Sequence, residues 1–282
     1  MCGFFFNTMS SPIQWGACAS EQSGSYKSDC ASLAYPLNRD DPSMGNVTAF
    51  VRRLYYSQPT QDTIWMIEGG PGFSTHSLIP TADFLIEMNN NFTVYLQDQR
   101  GTGLSSPLNC EFENPPFYFD PYNATMLDQY SSCNDYVIST YGSVMKYYST
   151  LNGARDFADT INAENPTNVG IYALSYGTFF ANTYLQLANA RADCVILDGP
   201  VPANRGAMEQ NAVWNSRVSQ DLLNTCVANS SVCEGHIKQM GLTPQFVVDS
   251  IVDRTLPCLQ NLTWLNQTNG QHVTAAFTNL MT

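Results

Sequence analysis

Charge is scarce in this sequence, and basic charge is scarcest. Asp, Glu, Lys and Arg make up 13% of 282 residues, with 12 Lys and Arg against 24 Asp and Glu, a formal net charge of −12. A chain this acidic does not hold nucleic acid or an anionic membrane through bulk electrostatics. It suits a cationic partner, such as a peptide with a free amino terminus. Histidine is rarer still, at His76, His236 and His272 only. With no clustered His and no C-x-x-C spacing, a metal centre is not expected. No cofactor is expected either: Gly101-x-Gly103 lacks the third glycine and the strand–helix–acid context of a dinucleotide fingerprint. No run of about eighteen apolar residues is present, which excludes a membrane-spanning helix of the usual kind. The stretch Met1 to Phe6 is too short, and lacks the basic lead, to act as a signal peptide.

Apolar and aromatic residues are plentiful, at 44% and 12%. They can fill a sizeable core, and the length suits one large domain or a domain with an insertion. The cysteines number nine, and Asn-x-Ser/Thr sequons occur at Asn46, Asn91, Asn123, Asn229, Asn261 and Asn266. Together they point to an oxidising compartment, secreted or in a lysosomal or vacuolar lumen. Close spacing predicts the disulfides Cys18–Cys30, Cys110–Cys133 and Cys226–Cys233. Cys2, Cys194 and Cys258 remain, with Cys194 read as an inert thiol in a buried strand. A secretory character without a visible signal peptide is reconciled if the chain begins downstream of its true start.

The stretch from Asn168 to Leu185 organises the rest. Val169 to Leu174 reads as a buried strand, and Thr178 to Ala190 as a helix with apolar residues at helical spacing. Between them lies Ala173-Leu174-Ser175-Tyr176-Gly177. Such a pattern of small residues around a serine is common by chance. Between a strand and a helix it becomes a nucleophile elbow, G-x-S-x-G with Ala at its first position. Ser175 is then the candidate nucleophile, and the small residues let strand and helix approach closely.

Upstream, Ala31 to Leu37 and Ala49 to Ser57 read as an antiparallel strand pair, preceded by an irregular, disulfide-tied segment from Gln14 to Cys30. Thr63 to Ile67 reads as a strand running into Glu68-Gly69-Gly70-Pro71-Gly72. In a hydrolase with an elbow, such a turn supplies one oxyanion donor and the residue after the nucleophile the other. Those donors are the amides of Gly70 and Tyr176. Phe92 to Gln97 reads as a further strand, leading to Asp98 and Arg100, which are expected to pair and pin the loop beside the site. A helix is expected from about Asp128, another over Asn152 to Asn165, and a strand over Asp193 to Asp198. Alternating strands and helices give an α/β fold: a mostly parallel sheet with helices on both faces. Beyond Val201 the pattern turns helical, over Met208 to Asn224, Pro244 to Thr255 and Gly270 to Met281. The division expected is a core over 1–200 and a helical cap over 201–282.

Taken in order, these motifs resemble the α/β-hydrolase superfamily. More narrowly the chain is similar to the proline iminopeptidase and tripeptidyl aminopeptidase family of serine exopeptidases. The matching residues are Ile13-Gln14-Trp15 with Cys18, Gly69-Gly70-Pro71-Gly72, Asp98-Gln99-Arg100-Gly101-Thr102-Gly103-x-Ser105, Ser175-Tyr176-Gly177-Thr178 and Leu197-Asp198-Gly199. The resemblance implies Ser175 as nucleophile, oxyanion amides near Gly70 and Tyr176, and a cap that selects substrates with a free N-terminus. Acidic side chains in that cap hold the amine in the family; Glu209 is the candidate here. The chain departs from the family at Glu68, where His is common, and at Ala173. The fold orders its triad Ser, then Asp or Glu, then His, after later strands. No such strands are visible, and none of the three histidines reads as the base. The expectation is therefore a C-terminally shortened hydrolase, with its catalytic Asp and His beyond residue 282. Three functions follow: a serine exopeptidase acting on free N-termini, an esterase-type hydrolase of the same fold, or a non-catalytic fragment or pseudoenzyme that binds peptides.

Overall fold

The computed structural model describes residues 12–18, 26–110, 124–202, 217, 218 and 221. The chain divides into two compact units, 1–109 with 137–206, and 110–136 with 207–282.

The first unit is built on one sheet. Its strands are β1 (Gly16–Ala17), β2 (Lys27–Pro36), β3 (Asn46–Tyr55), β4 (Asp62–Ile67), β5 (Thr93–Gln97), β6 (Asn168–Leu174) and β7 (Cys194–Asp198). They lie in the order β1-β2-β3-β5-β4-β6-β7. β1, β2, β3 and β5 meet antiparallel, whereas β5, β4, β6 and β7 run parallel. The mostly parallel, helix-flanked sheet expected from the sequence is what the chain forms.

Strand alternation sends side chains to two cores. Trp65 and Ile67 join Val51, Val169, Ile171 and Ala173 on one face. There they meet Ala154, Phe157, Ala158 and Ile161 of helix α3 (Thr150–Glu164) and Phe180, Ala181 and Tyr184 of helix α4 (Tyr176–Leu185). Trp65 stacks on Tyr95 with centroids 4.1 Å apart, and Phe157 meets Trp65 edge-on. Such aromatic pairs add about 0.5–1.5 kcal/mol to the burial itself. On the opposite face Leu54, Met66, Val94 and Leu96 pack against Leu78 and against Ile79, Ala82 and Ile86 of helix α1 (Ile79–Met88). In the chain-order numbering, α2 (Ala124–Tyr141) falls between α1 and α3. In the second unit, the disulfide Cys110–Cys133 ties the end of the described segment 26–110 to this helix.

The structure refines several expectations. β2 begins at Lys27, before the apolar stretch, because its polar start pairs with the end of β3 in the register Lys27↔Tyr55. The irregular segment before it contains the short strand β1, joined to β2 by the disulfide Cys18–Cys30, with an S–S distance of 2.05 Å. Helix α1 is not among the expected elements. Cys194 is exposed rather than buried, because β7 pairs with β6 alone among the described strands. The proposed pair Cys226–Cys233, Cys2, Cys258, Glu209, His236, His272 and nearly all of the expected cap over 201–282 lie outside the described residues.

Candidate active site

The site forms where β4 and β6 end side by side, in the register Ile67↔Ala173. β6 carries its chain straight into α4, and Ser175 stands at the junction. Its φ of 54° and ψ of −121° lie where a side chain is disfavoured. Holding a residue there costs about 1–3 kcal/mol and needs surrounding structure that over-determines it. That structure is present. The Ser175 amide donates to the Asp198 carbonyl at 2.7 Å, and the Ser175 carbonyl accepts from the Thr178 amide at 2.9 Å and its hydroxyl at 2.7 Å. The Thr178 hydroxyl in turn accepts from the Val201 amide at 2.7 Å.

The small residues of the elbow have a steric cause. A Cβ at Gly177 would stand 2.6 Å from the Ile67 carbonyl and 2.8 Å from that of Glu68. A glycine therefore lets α4 start directly against the end of β4. Ala173 is fully buried, which explains why its methyl is the most the first position carries.

The glycine turn after β4 lies against the serine. A Cβ at Gly69 would meet the Ser175 Cβ at 2.9 Å and its Oγ at 3.4 Å. Gly70 follows with φ of 108°, a conformation only glycine adopts without strain, and the Gly70–Pro71 bond is cis. Glu68 pins the turn: its Oε1 accepts from the Gly69 amide at 2.9 Å and its Oε2 from the Ser77 hydroxyl at 2.5 Å. Tyr176 is the first residue of α4, so its amide belongs to the helical turn whose N–H groups have no intrahelical acceptor. Its phenol shares a hydrogen bond of 2.7 Å with Thr150, anchoring α4 to α3, and burial pushes its pKa up. Ser175 itself is exposed, and among the described residues its hydroxyl has no hydrogen-bond partner.

The expected pairing of Asp98 with Arg100 is corrected, because each side chain is taken up elsewhere. Asp98, only 2% exposed, accepts from the Ser74 hydroxyl at 3.0 Å, the Thr75 amide at 2.7 Å, the Thr75 hydroxyl at 2.9 Å and the Leu104 amide at 2.9 Å. It ties the loop after the glycine turn to the loop after β5. Arg100 points the other way. Its Nε and Nη2 clasp the Asp156 carboxylate of α3 at 2.7 and 2.8 Å, and it also donates to the carbonyls of Leu37, Tyr147 and Pro36. Arg39 reaches the same carboxylate at 2.7 Å. Burial pushes the Asp156 pKa up, and the two guanidiniums oppose that shift.

Asp198, at the end of β7, holds the Ser175 amide through its carbonyl and accepts from the Tyr172 hydroxyl at 2.8 Å through its carboxylate. That hydrogen bond, with burial added, raises the Tyr172 pKa. The sequence singles out Asp198 only as part of a motif, without a role. His76 sits exposed on the short 3-10 turn Thr75–Leu78. The structure thus brings together Ser175, the Gly69–Gly70 turn and the first amides of α4. No base is hydrogen-bonded to the serine among the described residues.

A family model described as alpha/beta hydrolase fold matches residues 62–230. No curated protein sequence matches the chain. Similar solved structures include a cold-adapted esterase from an Arctic intertidal metagenomic library, at 13% identity over 66% of this chain and 65% of that one, with a TM-score of 0.38. A proline iminopeptidase-related protein from Thermus thermophilus matches at 16% identity, over 60% and 44%, with a TM-score of 0.35. An esterase from Exiguobacterium antarcticum matches at 16%, over 66% and 57%, with a TM-score of 0.37. The chain therefore spans between 44% and 65% of the lengths of these three structures. With more than half of its residues inside the matching model, the chain belongs to the alpha/beta hydrolase fold family.

Proposed function

We propose that the protein is a serine hydrolase with Ser175 as nucleophile, acting as an exopeptidase that releases residues or short peptides from free N-termini. The observation that carries this reading is the serine's position: a strained, clamped backbone presents a hydroxyl that has no partner among the described residues, beside the Gly69–Gly70 turn. Strain of this kind is kept where a reacting group must be held in place.

In the reaction, the Ser175 Oγ attacks the scissile carbonyl carbon while its proton passes to a general base. The amides of Gly70 and Tyr176 stabilise the oxyanion of the tetrahedral intermediate. The C–N bond then breaks, and the shortened peptide leaves as an amine carrying the proton. Water attacks the resulting ester in the same way, releasing the N-terminal fragment as a carboxylate and restoring the serine. The base is a residue other than those that surround Ser175 here.

The choice of a peptide amine as the recognised end rests on the motif set around Gly69, Asp98 and Ser175 and on the acidic balance of the chain, which attracts a cationic group. The disulfide between Cys18 and Cys30 favours a secreted or lumenal location.

Fluorophosphonate labelling of the protein tests the reading. Label on the wild type that Ser175→Ala removes supports the nucleophile; label that survives the substitution rejects it. Turnover of an aminoacyl amide, its N-acetylated form and a simple ester then separates the substrate classes. An exopeptidase loses activity on acetylation, whereas an esterase favours the ester and ignores the amine.

A further inference from the structure

The α1 face of the sheet carries a cavity of about 330 Å³ that Ser175 does not line. Phe50, Ile79, Leu96 and Leu104 give it apolar walls, and Arg52 and Asp98 are its charged members. Arg52 projects from β3 and is only 5% exposed. Its Nη1 is buried without a hydrogen-bond partner, and among the described residues its guanidinium makes no ion pair. The neighbouring arginines behave differently. Arg53, one residue along and on the other face, binds Asp29 and Glu164 and lies 4.3 Å over the Trp15 ring. Arg100 is held by Asp156. A buried cation left without an anion is costly, so the position calls for a negative group.

The carboxylates nearby do not supply it. Asp98 is occupied by Ser74, Thr75 and Leu104. Asp83 of α1 has its own buried, unpartnered Oδ1, and Tyr26 lies in the field of both Asp83 and Arg52, yet no ion pair joins the two. We propose that Arg52 anchors the carboxylate of a small apolar acid bound in this cavity, at a site separate from Ser175. The fork of a guanidinium matches the two oxygens of a carboxylate. Several donors of the lining are already used: the Thr75 and Leu104 amides by Asp98 and the His76 amide by the Ser74 hydroxyl. One guanidinium carries one positive charge, which balances a carboxylate but not the second charge of a phosphate. The volume lies at the small end of the roughly 300–1,000 Å³ range of ligand pockets.

Calorimetric titration and thermal melting of the full chain with hexanoate, benzoate, hexanamide and inorganic phosphate test the site. Hexanoate or benzoate raises the melting temperature saturably, and hexanamide does not. Arg52→Met weakens acid binding by roughly tenfold to a hundredfold, as expected for loss of a charged hydrogen bond, without lowering the melting temperature of the free protein. Asp83→Asn leaves binding intact. The proposal is overturned if neither acid binds the wild type, if phosphate binds and the acids do not, or if Arg52→Met binds as well as the wild type. It is also overturned if Arg52→Met and Asp83→Asn each destabilise and the double variant loses no more than either, since Asp83 is then the anion Arg52 serves. The role of Ser175 is untouched by any of these outcomes.

Discussion

Two loops leave the parallel strands on either side of β4, and they treat their polar side chains in opposite ways. After β5, Asp98 is buried and its carboxylate accepts from Ser74, Thr75 and Leu104. Gly103 makes room for it, since a Cβ there would collide with Oδ2. After β6, the main chain of Ser175 is bound on both sides while its hydroxyl has no partner among the described residues. In one loop the side chain fixes the backbone; in the other the backbone fixes the side chain. The first arrangement builds a scaffold. The second leaves a nucleophile positioned and unspent.

The sharpest way to break this contrast is to exchange what each side chain loses. Ser175→Ala removes the nucleophile, so turnover falls by about 10⁴ to 10⁶. Its melting temperature stays unchanged, because the hydroxyl makes no hydrogen bond among the described residues. Asp98→Asn does the reverse. It exchanges an acceptor oxygen for a donor amide facing the donors around it and lowers stability by about 3 kcal/mol in chemical denaturation. A Ser175→Ala protein that melts much earlier than wild type would show that the serine is structural.

Raising the pH tests the scaffold side alone. Burial pushes the Tyr35 and Tyr95 phenols well above their ordinary value of 10.0, and for Tyr95 the carboxylate of Glu164, which accepts from it at 2.6 Å, adds to the shift. Below pH 10 both folded and unfolded chains keep these protons, and the contribution to stability is whole. Above it, the unfolded chain ionises and the folded one does not, so stability falls by up to about 1.4 kcal/mol per tyrosine for each further pH unit. Phenolate absorbance should therefore appear together with unfolding. Ionisation of all tyrosines while the fold persists would contradict the burial of these two. At the elbow itself, Gly177→Ala pushes a methyl against the carbonyls of Ile67 and Glu68 and is expected to cost about 2 kcal/mol.

The sequence shows the elbow and the glycine turn because both are local: a strand, a small-residue turn and a helix follow one another within a few residues. The antiparallel pair β2–β3 is legible for the same reason. Helix α1 is not, although Ile79, Ala82 and Ile86 keep helical spacing and Pro80 stands where a helix begins. Its stripe is narrow, and it follows a turn that reads as a loop. The partner of Arg100 is beyond local reading altogether. Asp156 lies 56 residues away, in a helix whose pattern predicts only an apolar face. Nothing in the spelling of that helix distinguishes a buried carboxylate from a solvated one. The nearer aspartate, Asp98, attracts the pairing instead.

The smallest expected effect separates strain from chemistry at one position. Ser175→Gly and Ser175→Ala both remove the hydroxyl, but only glycine relaxes a φ of 54° with ψ of −121°. Relief of about 1–3 kcal/mol is set against roughly 0.5–1 kcal/mol for the added freedom of glycine in the unfolded chain. The glycine variant should thus be more stable than the alanine variant by about 1 kcal/mol, with neither labelled by a fluorophosphonate. Equal stability would mean that the turn stores no strain. The clamp made by Asp198 and Thr178 would then be holding a conformation the chain adopts unaided, and the case for a backbone shaped around its nucleophile would rest on Gly69 and Gly177 alone.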